Sequence, residues 1–279
     1  MTFVEKIKYE FNKGNSAVRQ IIMLNLAAFV FSILIGVIAT VSGFSSDDLL
    51  QYFYLPSNLS HLVIRPWTIV TNIFFHHGFW HIFVNMLLLF FLGRILEDFL
   101  SNKQMWQLFL FGGILGGIVY VATVNLSPAL AQQIGFLPLL GASGGVTAII
   151  VATGLHIPYY NVRPFGLFNV ELRWVALFFV FRDLYYFPVS NNAGGLLAHM
   201  GGAILGALFI LNLQGRLNLP TINFIQKSKI DEVKLNKKRS SVKTKPNQHE
   251  IDAILDKISQ SGYNSLTKEE KDILFKASE

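Results

Sequence analysis

Cysteine is absent from the 279-residue chain, which rules out disulfides and thiolate metal sites alike. Charge is scarce too: Asp, Glu, Lys and Arg make up 14% of the residues, well short of the roughly 25% of a typical soluble domain. There is no H-E-x-x-H pattern, and no carboxylate accompanies the clustered His76, His77 and His81, so zinc-protease chemistry finds little support and the first two read as interfacial histidines. No pair of aspartates sits at the centres of apolar segments, which argues against an intramembrane aspartyl protease. No motif repeats between the two halves, which weakens a transporter built from inverted repeats.

What the chain has in abundance is apolar surface: 52% hydrophobic residues, 25 of them Phe, and a mean hydropathy of +0.45. The apolar residues fall into six blocks, about 21–43, 80–95, 105–124, 142–155, 174–187 and 194–213. A bilayer core is crossed by about 20 helical residues, so the fold class predicted is all-α: a polytopic membrane protein with six transmembrane helices and a short cytoplasmic helical tail. The fourth and fifth blocks are short, as helices are that end at a buried cavity or re-entrant loop. The first is longer than a signal-peptide core and lacks a small-residue cleavage site after it, so it reads as a retained span.

Lys and Arg set the orientation. Lys6, Lys8, Lys13 and Arg19 precede the first block; Arg94 and Lys103 lie in the second connection, Arg163 and Arg173 in the fourth, and Lys234, Lys237, Lys238 and Arg239 in the tail. The alternate connections are poor in positive charge, which predicts both termini in the cytoplasm. The second, fourth and sixth helices then all run inward from the outside.

Polar groups stranded in apolar segments are costly, and usually functional when several converge. Ser143 opens the fourth block within Gly141-Ala142-Ser143-Gly144, His199 lies about a turn and a half into the sixth, and His81 with Asn85 lies near the start of the second. All four fall at one depth. Small residues in the sixth block, with Gly202 and Gly206 in a G-x-x-x-G pattern, and Gly141, Gly144, Gly145 and Ala148 around the fourth allow close helix approach.

A serine hydroxyl needs a base, and a neutral imidazole serves, which assigns Ser143 as nucleophile and His199 as its partner. Backbone N–H groups at the start of the fourth helix point toward a developing oxyanion. His81 and Asn85, spaced i and i+4, share a helical face and add side-chain donors. Asp183 falls nearer the outer end of the fifth helix than His199 requires, so the expectation is a Ser-His dyad rather than a triad.

On these residues the chain resembles the rhomboid family of intramembrane serine proteases. The family's H-x-x-x-N is similar to His81-Ile82-Phe83-Val84-Asn85, its G-x-S-G to Gly141-Ala142-Ser143-Gly144, and its A-H-x-x-G to Ala198-His199-Met200-Gly201-Gly202, in the family's order. Arg65-Pro66-Trp67 through Thr71 resembles the family's structured first outer loop, and the likeness runs over about 58–213. The resemblance implies a cavity open to the outside, catalysis by Ser143 and His199, oxyanion stabilisation by His81 and Asn85, no cofactor and no metal. It also implies transmembrane protein substrates entering past a gate of Trp174, Phe178, Phe179, Phe181 and Tyr185. Thr147 departs from members that place an aromatic four residues after the serine. A catalytically silent family member that escorts membrane helices is the alternative.

The domain boundaries expected are 1–20 for an N-terminal segment, 21–213 for the membrane bundle, 214–247 for a basic linker and 248–279 for a helical hairpin. The linker's lysines and arginines suit anionic lipid headgroups, and no motif supports nucleic-acid binding. In the hairpin, Ile251, Ile254, Leu255 and Ile258 form a stripe, Gly262 suits a helix stop, and Thr267 with Glu270 makes a capping box before Ile273, Leu274 and Phe275. Short loops and the lack of a targeting extension lead to the expectation of a bacterial cytoplasmic membrane.

Overall fold

Six helices that correspond to the apolar blocks of the sequence lie in the larger of two compact units in this computed structural model, which describes residues 2–134, 137–190, 192–217, 248–261, 265–267, 269–271 and 273. They are α1 (Ala17–Val41), α2 (Phe79–Glu97), α3 (Asn102–Leu126), α4 (Ser143–His156), α5 (Leu172–Tyr186) and α6 (Ala193–Leu213). Among the described residues, α1, α2, α3 and α6 are long and apolar enough to cross a membrane, while α4 and α5 are shorter, as the length of their apolar blocks predicts.

Local chemistry sets the helix starts. The Ser16 side chain accepts the Arg19 N–H ahead of α1, Ser101 and Gln104 form a capping box on α3, and Asn192 accepts the Gly195 N–H at the start of α6. Inside α2, Leu89–Gly93 takes π-helical form, a bulge frequently found near functional sites.

Glycine determines which helices touch. A Cβ on Gly202 would lie 2.0 Å from the Gly144 carbonyl oxygen, and one on Gly206 would lie 2.4 Å from that of Ala148. The α4–α6 contact is thus backbone against backbone, as the G-x-x-x-G pattern predicts. The third partner is α3, which the small residues of the fourth and sixth blocks do not by themselves reveal. Gly116 meets the Ala198 carbonyl oxygen at 2.6 Å and Gly112 meets the Ala148 Cβ at 2.5 Å, measured in the same way. With no hydrophobic force between helices in lipid, these dispersion contacts hold the three-helix centre together.

One short hairpin accompanies the helices. Asn161–Val162 (β1) pairs antiparallel with Val170–Glu171 (β2) in the connection between α4 and α5, with Asn161 opposite Glu171. Strands of two residues are too short to leave an alternating pattern in the sequence. The connection between α1 and α2 is structured as the family likeness implies. There the Trp67 indole donates to the Tyr52 carbonyl at 2.8 Å, the Thr71 hydroxyl donates to that of Phe53 at 2.9 Å, and the Arg65 guanidinium lies 4.1 Å from the Tyr52 ring centre.

The smaller unit contains the helix α7 (Gln248–Ser261). Ile254 and Leu266 are buried in it, the Thr267 and Glu270 capping box forms, and Lys257 donates to Glu270 at 2.8 Å. The linker from 218 to 247, the helix stop at Gly262 and the hairpin's end from 274 to 279 lie outside the described residues.

Candidate active site

One cavity of about 950 Å³ is lined by Ser143, His199, His81 and Asn85 together. They stand at the first residue of α4, the seventh of α6, and the third and seventh of α2. Three helix beginnings therefore meet at one end of the bundle, which is the depth match expected from the sequence.

Ser143 is not a helix cap. The N-cap position belongs to Ala142 and no side chain caps α4, so the Ser143 hydroxyl is left for the cavity and the first N–H groups of α4 keep no intrahelical acceptor. The turn before it needs glycine. Gly141 has φ +132°, its N–H donates to the Asn72 carbonyl at 2.9 Å, and a Cβ there would stand 2.8 Å from the His81 ring and 3.7 Å from Ser143 Oγ. Only glycine lets the His81 ring and the serine come this close to the same backbone.

The tautomer of His81 follows from its partner. The His77 N–H donates to His81 Nδ1 at 3.3 Å, so in the neutral ring Nε2 carries the proton and acts as donor. Asn85 donates one amide hydrogen to the His81 carbonyl at 2.9 Å and retains a second. Among the described residues no hydrogen bond joins Ser143 to His199. Catalytic hydrogen bonds often tighten only with substrate bound.

Asp183 requires the main correction. Its carboxylate reaches across from α5, with Oδ2 2.9 Å from His199 Nδ1, and its side chain is 5% exposed. Arg182 Nε donates to the other oxygen, Oδ1, at 3.0 Å, and Arg182 Nη2 donates to the same atom. The expectation that no carboxylate meets His199 at its depth fails because it compares positions within each helix separately. From Asp183 to the end of α5 is about 4.5 Å of rise and from the start of α6 to His199 about 9 Å, a difference that side chains span. An acid inside an apolar span is itself the signal that points to it.

His76 is buried within the protein, 5% exposed, and its Nε2 accepts the N–H of Ala142 at 3.3 Å. Its ring meets that of His81 edge-on with centroids 5.0 Å apart. Burial first, and then the neighbouring His81, push its pKa down from 6.5 to about 3, against a smaller opposing effect of the Phe74 backbone. The ring is therefore neutral at ordinary pH and holds the residue before the serine. Among the described residues no cluster of His, Cys, Asp or Glu is arranged to hold a metal ion.

The Rhomboid domain family matches residues 64–215, slightly more than half of the chain and all four of these site residues. This chain belongs to the rhomboid family. A second match, to a family of unknown function (DUF6576), covers residues 232–279. Rhomboid protein 1, mitochondrial, of Saccharomyces cerevisiae is 27% identical over 170 residues, 58% of this chain and 43% of the relative. RHOMBOID-like protein 12, mitochondrial, of Arabidopsis thaliana is 26% identical over 152 residues, 52% and 45% of the two chains. Inactive RHOMBOID-like protein 8 of the same plant is 23% identical over 142 residues, 50% and 35% of the two. The chain thus spans less than half the length of each of these rhomboid relatives.

Proposed function

We propose that this rhomboid is an intramembrane serine endopeptidase that cuts transmembrane or membrane-anchored proteins near their outer ends. The observation that carries the reading is the meeting of Ser143, His199, His81 and Asn85 on one cavity. In the first step Ser143 Oγ bonds to the substrate's peptide carbonyl carbon, the Oγ proton passes to His199 Nε2, and the carbonyl π pair moves onto oxygen. The His81 Nε2–H, the Asn85 amide and the N–H groups opening α4 receive that charge. The carbonyl then re-forms, the C–N bond breaks, and the imidazolium proton goes to the leaving amine. Water repeats the sequence on the acyl-enzyme, restoring Ser143 and His199.

The same reading has both termini in the cytoplasm, takes α5 with its exposed Trp174, Phe178, Phe181 and Tyr185 as the side where substrate helices enter, and has the basic linker meet anionic lipids. The compartment expected from the sequence is a bacterial cytoplasmic membrane; two relatives named mitochondrial lend that choice no support.

Similarity to a protein named inactive favours a second reading, a silent member that binds membrane helices. A fluorophosphonate probe separates the two without knowledge of a substrate. Labelling of the detergent-purified full chain, lost in Ser143→Ala and in His199→Ala, is the expected result. A folded wild type that stays unlabelled after its lipids are restored would leave only the silent reading.

A further inference from the structure

We propose that Asp183 is a positioning residue that fixes His199 in the tautomer able to accept the serine proton, with Arg182 fixing Asp183 in turn. The inference rests on the hydrolase reading and adds a third member to what the sequence presents as a dyad.

The geometry leaves little choice of proton. An ionised carboxylate only accepts, and the Asp183 carboxylate is ionised because Arg182 is its direct partner through Oδ1. The 2.9 Å contact between Asp183 Oδ2 and His199 Nδ1 must then carry its proton on Nδ1. The Nε2 lone pair is left for the Ser143 side of the ring. In an unrestrained imidazole the two tautomers exchange, and only one of them serves as base. Asp183 also faces the imidazolium formed when Ser143 is deprotonated, and balances it while the Nδ1 proton stays on His199.

The two carboxylate oxygens have different partners, which gives the inference a sharp consequence. In Asp183→Asn the amide oxygen stays with the Arg182 donors that now hold Oδ1. The amide NH₂ then replaces Oδ2 and points a donor at His199 Nδ1. That donor forces Nδ1 to accept, puts the proton on Nε2, and removes the base. Asp183→Ala merely frees the ring to sample both tautomers. A packing role would give the opposite order, because Asn preserves the volume of Asp and Ala leaves a void.

The element that supplies Asp183 also matters. A Cβ on Gly154 of α4 would meet the Ala176 Cβ of α5 at 2.4 Å, so α5 is seated tightly on α4 near its own start. Near its far end it reaches α6 through Asp183 and His199. The other charged or titratable groups around the cavity are His77 and His81 before and within α2, Arg182 on α5, Asp47 and Asp48 on the short helix Ser46–Leu50, Tyr54 between α1 and α2, and Tyr120 on α3. None of these but Arg182 is hydrogen-bonded to Asp183 among the described residues.

The test uses the full chain in lipid bicelles with wild type, Asp183→Asn, Asp183→Ala and Ser143→Ala. Three quantities are read: fluorophosphonate labelling rate, thermal midpoint, and the His199 tautomer from ¹⁵N-histidine spectra assigned with a His199→Gln control. Both Asp183 variants should label more slowly than wild type, by about 10- to 100-fold, up to the lower end of the roughly 10²- to 10⁴-fold ascribed to general acid–base catalysis, with Asn at least as slow as Ala. The Nδ1–H signature of wild type should become Nε2–H in Asn and a mixture in Ala. Ala slower than Asn, or an unchanged tautomer in folded variants, overturns the role of Asp183 while leaving the protease reading intact. If Asp183→Asn does not fold, loss of the single Nδ1–H signature in Asp183→Ala supports the inference and its persistence overturns it. Wild type that is folded but unlabelled defeats the protease reading, and the tautomer spectra still decide whether Asp183 sets the His199 proton.

Discussion

Acidification should loosen this protein through His76. The imidazole is 5% exposed and accepts the Ala142 N–H at 3.3 Å, and burial and His81 hold its pKa at about 3 against an ordinary value of 6.5. Its folded pKa is depressed, so between those two values the unfolded chain binds the proton and the folded one does not. The stability contributed is fully present above pH 6.5 and falls as pH drops toward 3. The slope is about 1.4 kcal/mol per pH unit for a single group, which makes the loss about 2 to 3 kcal/mol by pH 4.5. For a unit of this size that corresponds to about 5 to 10 °C in thermal midpoint. The comparison is wild type against His76→Gln in detergent from pH 7.5 to 4.5, because the glutamine amide oxygen can still accept the Ala142 N–H but does not titrate. Groups away from His76 and His81 cancel in the difference. Wild type should lose midpoint faster than the variant as pH falls, and parallel curves would refute the argument that burial keeps this ring neutral.

Two further substitutions test the backbone geometry. Gly206→Ala places a Cβ 2.4 Å from the Ala148 carbonyl oxygen, whereas Gly36→Ala on α1 meets nothing within 4 Å; thermal melts should show the first destabilised by about 1 to 3 kcal/mol and the second unchanged or raised by up to about 1 kcal/mol, the helix-propensity gain of Ala over Gly. Gly141→Ala should cost about 1 to 3 kcal/mol for its φ of +132°. It should also slow probe labelling by about 10²- to 10³-fold, the loss ascribed to one oxyanion donor, because the new Cβ displaces the His81 ring; normal labelling of that variant would contradict the assigned role of the turn.

Much of the site is legible in the residues alone, for a physical reason. Lipid imposes a single strong filter, so a hydroxyl, two imidazoles and an amide inside apolar blocks stand out, and helical rise converts their positions to a common depth. Ser143, His199, His81 and Asn85 meet on one cavity as that arithmetic requires. Depth, however, is only one coordinate. Whether Asp183 faces α6 or lipid depends on the rotation of α5 about its axis, and with almost no amphipathic asymmetry in that helix the acid itself is the one sequence signal for rotation. The burial of His76 is hidden for a related reason: outside a helix no periodicity says which way a side chain turns, so its place under Ala142 leaves no trace in the residues. The β1–β2 pair is too short to show a period, and the glycines of α3 do not name the helix they will meet.

The structure builds the site from two kinds of helix contact. Ser143 and His199 stand on α4 and α6, which touch backbone to backbone at Gly144 with Gly202 and at Ala148 with Gly206, and α3 closes the third side through Gly112 and Gly116. A contact made of main-chain atoms has no rotamers to lose and cannot yield by a side-chain swing, so the backbones that carry Ser143 and His199 hold a fixed spacing. Asp183 comes instead from α5, a helix whose Trp174, Phe178, Phe181 and Tyr185 are exposed and whose close seating is on α4 through Gly154 and Ala176. Any outward displacement of the far end of α5 must lengthen the 2.9 Å bond to His199 before it alters the distance between serine and histidine. On the role proposed for Asp183, the position of α5 then sets the tautomer of His199, and the ring is held in its Nδ1–H form only while that helix is seated.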